Sequence, residues 1–407
     1  MMGRRVVVVG AGQAGYSLAA KLRDLGHTGP ITLIGDETEI PYQRPPLSKK
    51  YLLGEMTVDR LHLKPRNFYD EANIALVAGE RVESIDRAAR AVITNQRSIG
   101  YDVVALTTGA VPRRLPAAIG GDLAGVYTIR SLADVDAMRP EFREGRRVLV
   151  VGGGYIGLEA AAVAAQKGLG VTLIEAAPRI LGRVAAPETA DFFRKLHRSN
   201  GVDIREGTGL DRLEGDGGRV ARAVLADGET IDVDFVIVGI GIDPATHLAE
   251  RTGLRIENGI AVDHQCRTSD PAIFAAGDCA SFPWRGGRVR LESVQNAIDM
   301  AEHAAAAIHG ATLPYIPVPW FWSDQYAARL QIAGLNLGYT RTVRRPGSRA
   351  GAESIWYFEG QRFLAVDAMN DPKAYMQGKR WLESGQSPTP EGVADSAREL
   401  KTLVGAA

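Results

Sequence analysis

Arg4-Arg5-Val6-Val7-Val8-Val9 runs straight into Gly10-Ala11-Gly12-Gln13-Ala14-Gly15, a β-branched run followed by G-x-G-x-x-G. The run lacks polar alternation, so it reads as a strand buried on both faces, as in a parallel sheet. Ala14 to Leu25 then reads as a helix ended by Gly26, and Ile31-Thr32-Leu33-Ile34 closes a βαβ unit, with Asp36 and Glu37 directly behind it. Gly10 permits the tight turn, Gly12 lets the backbone approach a pyrophosphate, and Gly15 lets helix and strand pack closely. The helix N-terminus offers unpaired N–H groups and partial positive charge to the phosphates. An acid at the end of the second strand accepts hydrogen bonds from a ribose. The first segment therefore reads as a dinucleotide site.

The pattern recurs. Val148-Leu149-Val150-Val151 is followed by Gly152-Gly153-Gly154-Tyr155-Ile156-Gly157, a helix through Lys167 ending near Gly168, and the strand Val171-Thr172-Leu173-Ile174 with Glu175 behind it. This is an internal duplication of the whole nucleotide-binding unit. Two such units argue for two dinucleotides and for electron transfer between them. Glu175 accepts from a ribose 2′-OH and repels a 2′-phosphate, which favours NADH. Ala176 and Ala177 supply no cation, while Arg179 leaves NADPH as a second reading.

The remaining composition sets bounds. A chain of 407 residues is long for one core, so two or three domains are expected. Lys plus Arg and Asp plus Glu number 48 each, which excludes a global field for nucleic acid or an anionic membrane. No apolar run is long enough to span a bilayer. A strand begins within a few residues of Met1, leaving no room for a signal peptide, so the expected location is cytoplasmic. Cys266 and Cys279 form neither a C-x-x-C nor a disulfide framework.

Between the two units, Ile40 to Lys50 is proline-braced, and Ser48 reads as the cap of a short helix. Residues 73–106 read as a small β excursion, and Thr107 to Pro112 as a crossover out of the first domain. Phe235 to Val238 is a further buried strand, and Gly239, Gly241 and Pro244 mark a return crossover. Ile273-Phe274-Ala275-Ala276-Gly277-Asp278 reads as a strand ending on a carboxylate, and Glu292-Ser293 opens a helix over Val294–Ile308. From Pro314 the composition shifts to Trp320-Phe321-Trp322-Ser323-Asp324-Gln325, strand-like runs, a helix from Lys373 to Glu383 and a terminal helix over Asp395–Val404. The fold class is α/β, with two Rossmann-like dinucleotide-binding domains and a C-terminal α+β domain, the glutathione reductase-like architecture.

Arg44-Pro45-Pro46-Leu47-Ser48-Lys49, Thr108-Gly109, the second glycine motif running into Leu158-Glu159, Phe274 to Cys279, Glu292 to Ala297 and Pro319 to Gln325 occur together with the first glycine motif. Over nearly its whole length the chain resembles the FAD-dependent, NADH-using ferredoxin reductases of bacterial haem monooxygenase and ring-hydroxylating dioxygenase systems. The resemblance implies an FAD-binding domain over 1–109 and 241–315, an NAD-binding domain over 110–240 and a C-terminal domain over 316–407. It implies FAD contacts from Gly10, Gly12, Ala14, Gly15, Asp36, Arg44, Pro45, Lys49, Val82, Thr108, Gly109, Arg130, Gly277, Asp278, Val294 and Trp322. It implies NAD contacts from Gly152, Gly154, Ile156, Gly157, Glu159, Glu175 and Glu292. Lys49 and Glu159 are expected to pair beside the reacting atoms; no metal is expected.

The implied partner is a two-iron two-sulfur ferredoxin, and through it an oxygenase, with neither nucleic acid nor membrane involved. The chain is expected as a monomer or weak homodimer. Because such ferredoxins are acidic, Arg285, Arg288, Arg290, Lys373, Lys379 and Arg380 are the candidate docking cations. The competing readings are a disulfide reductase, a rubredoxin reductase, a nitrite reductase flavin subunit and a flavin-binding signalling protein of the apoptosis-inducing-factor type. The first needs a redox cysteine pair that this spacing does not supply.

Overall fold

The computed structural model describes residues 3–404. The backbone divides into two compact units, one made of Met1–Gln43, Thr57–Val111 and Ile242–Pro317, the other of Arg44–Met56, Pro112–Gly241 and Val318–Ala407.

The first unit is built on a five-stranded sheet in the order Ile273–Ala275, Val103–Leu106, Val6–Val9, Ile31–Gly35, Ile74–Ala78, with every pair parallel. All four residues of Val6–Val9 and of Val103–Leu106 are buried, as continuous apolar runs require in a sheet covered on both faces. The Gln13–Asp24 helix packs against the Val294–His309 helix. Both turn small buried residues to the core, Ala14, Gly15 and Ala19 from one, Ala297, Ala301, Ala304 and Ala305 from the other. The long helix is well bounded: Ser293 Oγ accepts from Asn296 N at 3.1 Å at its start, and Gly310 closes it at φ 121°. The β excursion forms an antiparallel sheet of Val82–Asp86, Ala91–Thr94 and Ser98–Gly100.

The second unit repeats the plan. Its parallel sheet runs Asp203–Glu206, Gly170–Glu175, Arg147–Val151, Phe235–Val238, Val126–Tyr127. The same unit holds a five-stranded antiparallel sheet in the order Trp320–Gln325, Ala328–Gly334, Arg362–Met369, Glu353–Glu359, Arg341–Pro346. The Pro372–Ser384 helix covers that sheet over a core of Trp356, Phe358, Phe363, Val366 and Trp381. Asp371 caps it through Ala374 N, and Gly385 ends it at φ 68°. The α/β class, the duplicated parallel sheets and the C-terminal α+β part are therefore as the sequence implies.

Two local readings are corrected. Ser48 caps no helix: Pro45–Ser48 is a 3-10 turn, and the hydroxyl instead donates to Glu159 Oε2 at 2.6 Å. No helix runs over Asp395–Val404; a short helix occupies Pro390–Ala394 and a 3-10 turn Leu400–Thr402. The reason is Arg345, whose guanidinium donates to the carbonyls of Val393 and Asp395 at 2.8 Å each and also to those of Ser396 and Arg398. A side-chain donor of this kind competes with a helical ladder for the backbone carbonyls, and of these four only Asp395 O is also seen to accept a backbone N–H, that of Arg398 at 3.2 Å.

Candidate functional site

The two glycine turns show what each site can hold. Gly10 sits at φ +112°, and a Cβ there would lie 2.3 Å from Thr107 O. A Cβ on Gly15 would lie 2.0 Å from Gly10 O, so strand end and helix start meet with no room for a methyl group. In front of Gly12 nothing stands within 4 Å, and the helix it opens has no side-chain cap. The helix start is thus uncrowded at Gly12 and has no side-chain acceptor at its N-cap, which fits a pyrophosphate. The second turn repeats these distances: Gly152 lies at φ +106° with Gly239 O 2.5 Å from its notional Cβ, Gly157 meets Gly152 O at 2.1 Å, and Gly154 is open.

Other residues with implied FAD roles gather at the carboxyl ends of the first unit's strands. Thr107 Oγ1 ties the turn by donating to Gly10 O at 2.8 Å, and Thr108 Oγ1 donates to Ala245 O at 2.7 Å. Gly109 and Gly277 have φ of 70° and 83°, and Gly277 packs on Ala14, its notional Cβ 3.1 Å from Ala14 Cβ. Asp278 follows directly, half-buried, and Val294 opens the capped helix, also half-buried. Asp36 is exposed, 3.5 Å from Arg81, and Val82 starts the excursion sheet.

Arg44, Pro45, Lys49, Arg130 and Trp322 belong to the second unit. Arg44 Nη1 donates to Arg130 O at 2.7 Å, joining two of them. Trp322 is half-buried with its ring 5.6 Å from that of Trp320. Of the residues with implied NAD roles, Glu175 is held from two sides: Oε2 accepts from Gly153 N at 2.7 Å and Oε1 from Ala177 N at 2.8 Å. Ile156 stands exposed beside the open turn. Arg179 donates to Ala185 O at 2.8 Å and to further backbone carbonyls. Glu292 belongs to the first unit, where it pairs with Arg290 at 2.7 Å.

The most concentrated polar cluster surrounds Glu159, on the Tyr155–Gln166 helix and only 2% exposed. Lys49 Nζ and Ser48 Oγ both reach Oε2 at 2.6 Å, and Ser323 Oγ reaches Oε1 at 2.6 Å. One buried carboxylate thus has a cation and two hydroxyls, which satisfies the requirement for burying charge. Lys49 also reaches Pro45 O at 3.4 Å. Beside it the Tyr155 hydroxyl is buried without a partner, its ring 4.9 Å from Phe321, and burial together with Asp367 and Glu159 holds its proton tightly. Sequence reading named Lys49 and Glu159 but not Ser48 as a ligand of Glu159. Ser323 lay inside a quoted motif without a role.

Several docking candidates have other engagements. Arg288 Nη2 donates to Val262 O at 2.6 Å, and Arg290 adds Asp278 O at 3.2 Å to its pair with Glu292. Lys379 stands 5.4 Å over the Trp320 ring, while Lys373 and Arg380 are exposed on the same helix. Arg285 lies over Trp284. Both cysteines are buried and bond to backbone carbonyls, Cys266 to Met300 O, Cys279 to Leu106 O and Ala276 O. Burial raises the proton affinity of both thiols, the opposite of what redox thiols need. Among the described residues no His, Cys, Asp and Glu cluster could hold a metal, and no helix is long and apolar enough to cross a membrane.

Residues 4–301 match the family of pyridine nucleotide-disulphide oxidoreductases, and residues 320–404 match the reductase C-terminal family. The chain is 44% identical over 404 residues to a ferredoxin–NAD(P)(+) reductase of a Sphingomonas species, covering 98% of this chain and 97% of the relative. It is 41% identical over 414 residues to putidaredoxin reductase of Pseudomonas putida, covering 99% and 97%. Among solved structures, the covalent putidaredoxin reductase–putidaredoxin complex superimposes with a TM-score of 0.95 at 39% identity, covering 99% of this chain and 98% of the other.

Proposed function

The chain belongs to the pyridine nucleotide-disulphide oxidoreductase family, and we propose that it is a flavoprotein reductase that takes hydride from NADH and delivers single electrons to a two-iron two-sulfur ferredoxin serving an oxygenase. FAD, when bound, supplies the chemistry of accepting a hydride and passing its two electrons on one at a time. The observation that carries the reading is the pair of glycine cradles, each closed to a Cβ at the turn and open in front of the helix. The first would hold FAD through Gly10, Gly12, Ala14 and Gly15, with Asp36 on a ribose and Asp278 on the ribityl chain. Val82, Thr108, Gly109, Gly277, Val294, Arg44, Pro45, Lys49, Arg130 and Trp322 are proposed as further FAD contacts. The second cradle would hold NADH through Gly152, Gly154 and Gly157, with Ile156 and Glu159 toward the nicotinamide. The domain division proposed is 1–109 with 241–315 for FAD, 110–240 for NAD and 316–407 for the C-terminal part. A cytoplasmic location and a monomeric or weakly dimeric state complete the proposal.

The chain's residues bind and orient. Glu175, fixed by two backbone N–H groups, keeps lone pairs for a ribose hydroxyl and opposes a 2′-phosphate; Arg179, donating to carbonyls, supports NADH over NADPH. Lys49, held by Glu159, keeps a positive charge at the site, and its pairing limits its rotamers. No side chain needs to act as nucleophile or proton donor for hydride transfer. The proposed Glu292 contact would share the carboxylate with the ion pair that its Oε1 makes with Arg290.

Anaerobic stopped-flow mixing of the flavin-loaded protein with NADH and with NADPH is the test. Rapid loss of the flavin absorption with NADH and slow loss with NADPH is expected; no loss with either refutes the reductase reading. Lys49→Met is expected to slow this reduction more than it weakens FAD binding, which titration of flavin into stripped protein measures.

A further inference from the structure

Behind Glu159 the polar contacts continue, all within the second unit. Ser323 Oγ, which reaches Glu159 Oε1, accepts from Gln325 Nε2 at 3.2 Å. Gln325 Oε1 lies 2.8 Å from His197 Nε2, and His197 Nδ1 lies 3.3 Å from the Tyr326 hydroxyl. Ser323 and Gln325 are two apart on one strand and so share a face. His197 comes from the Pro187–Ser199 helix, and its ring meets that of Tyr326 edge to face at 5.1 Å. Glu159, Ser323, Gln325 and His197 are each at most 2% exposed. Tyr326 is half-buried in the turn after the strand, at φ +54°.

The donors in this row all point one way. The Gln325 amide N–H₂ faces the serine, so its carbonyl faces the imidazole and His197 Nε2 must carry the proton. Burial lowers the proton affinity of His197, leaving it neutral at pH 7 with one N–H and one lone pair. Nδ1 then accepts from Tyr326 O–H. From tyrosine to histidine to glutamine to serine, each group donates toward the Glu159 carboxylate. Chains of this kind reinforce one another in a medium of low dielectric.

We propose that Ser323, Gln325 and His197 are positioning residues for Glu159, forming a chain whose direction is set by the charge on that carboxylate and reverses when the charge is removed. Lys49 makes the reversal specific. With an amide at position 159, the ammonium on the Oε2 side demands the amide carbonyl, which turns the amide N–H₂ toward Ser323. The serine then accepts from position 159, and its own O–H needs an acceptor on the other side. Turning the Gln325 amide supplies one, and His197 must follow, giving up Nε2–H for Nδ1–H. Its importance for the reaction rests on the placement of Glu159 toward the nicotinamide proposed above.

The test uses the flavin-loaded full chain with ¹⁵N-labelled histidine at pH 7, reading the ring tautomer by two-bond ¹H–¹⁵N NMR. His197 is identified among the seven histidines by the signals lost in His197→Asn. The native protein is expected to show the Nε2–H form and Glu159→Gln the Nδ1–H form, and Ser323→Ala to make the ring insensitive to residue 159. Gln325→Met, which breaks the chain without touching Glu159, is expected to slow reduction by saturating NADH about tenfold with little change in KM, since a 1 Å misplacement costs up to about a hundredfold. An Nε2–H ring in Glu159→Gln, or an Nδ1–H ring in the native protein, overturns the proposal whatever the kinetics. A ring that reverses as expected, with NADH reduction unchanged in both Glu159→Gln and Gln325→Met, leaves the chain standing and refutes instead the placement of Glu159 at the nicotinamide.

Discussion

The two glycine turns are nearly superposable in their demands and differ in what the following helix carries. Gly10, Gly12 and Gly15 correspond to Gly152, Gly154 and Gly157 in conformation, in the carbonyl that forbids a Cβ, and in the open space before the middle glycine. Counting on from the third glycine, Ser17 in the first helix corresponds to Glu159 in the second. Ser17 is a buried hydroxyl that accepts from Gln13 Nε2 at 3.2 Å; Glu159 is a buried carboxylate gathering Lys49, Ser48 and Ser323. The acids at the second strands differ as well: Asp36 is exposed, whereas Glu175 is stapled to the turn by Gly153 N. A turn that cradles a pyrophosphate needs one backbone shape, and both turns have the same one. Side chains one helical turn further on are free to differ, and there the second unit has placed its charge.

Adding a methyl group at the crowded glycines breaks the symmetry hardest. Gly15→Ala and Gly157→Ala each drive a Cβ into a carbonyl, at a cost of about 3 kcal/mol of local overpacking. Gly15→Ala is expected to purify without flavin absorbance, and Gly157→Ala to keep its flavin while losing reduction by NADH. Loss of flavin from both would show that the two cradles do not divide the cofactors as proposed. Gly12→Ala and Gly154→Ala, with nothing within 4 Å, are expected to leave the thermal midpoint unchanged while weakening the respective nucleotide.

Glu159→Ala against Ser17→Ala comes next. Removing Glu159 strands Lys49, which is 17% exposed, and is expected to cost about 3 kcal/mol in urea unfolding. Ser17→Ala removes an ordinary hydrogen bond and is expected to cost about 1 kcal/mol. Similar losses would mean that Lys49 escapes to water once unpaired.

The second unit buries a further acid, Asp367, which accepts from Thr189 Oγ1 at 2.7 Å and from the Tyr357 hydroxyl. Burial pushes its pKa up to about 6. The folded state thus binds this proton more tightly than the unfolded chain. Its stabilising contribution is complete below pH ~4 and is lost as pH rises through about 6, a loss of at most about 3 kcal/mol. Asp367→Asn is expected to match the native protein near pH 4 and exceed it in thermal midpoint above pH 6. A native midpoint whose pH slope over that range survives the substitution would refute this.

The smallest effects concern the two strand-end acids. Glu175→Ala leaves two backbone N–H groups without their acceptor and is expected to cost about 1–2 kcal/mol in unfolding. Asp36→Ala, with a long exposed ion pair, is expected to change stability by less than about 0.5 kcal/mol. Equal stability losses would remove the distinction between a stapled acid and a ligand-facing one.

What the sequence could reveal follows from how local each signal is. The glycine turns were readable because tight turn, close approach and helix start all fall within six consecutive residues. Glu159 and Lys49 were found through motif resemblance, not from spacing. The partners that complete the cluster were not readable: Ser48 looked like a helix cap, and His197 sits in a helix to which no motif drew attention. That histidine gains meaning only from Gln325, far along the chain. The terminal helix failed for a related reason, since the competing interaction is a guanidinium from Arg345, whose reach no local propensity records.

The same arginine changes how the end of the C-terminal sheet should be regarded. By its backbone the stretch after Ala394 looks like slack chain, short of regular ladders. Yet a buried fork of N–H donors fastens it at Val393, Asp395, Ser396 and Arg398, and the single charge of a lysine has no geometry to match that spread of oxygens. Irregularity here is a tether rather than a fray. Part of that hold comes from one side chain some fifty residues upstream, and Leu400, Leu403 and Val404 add packing against the core of the sheet.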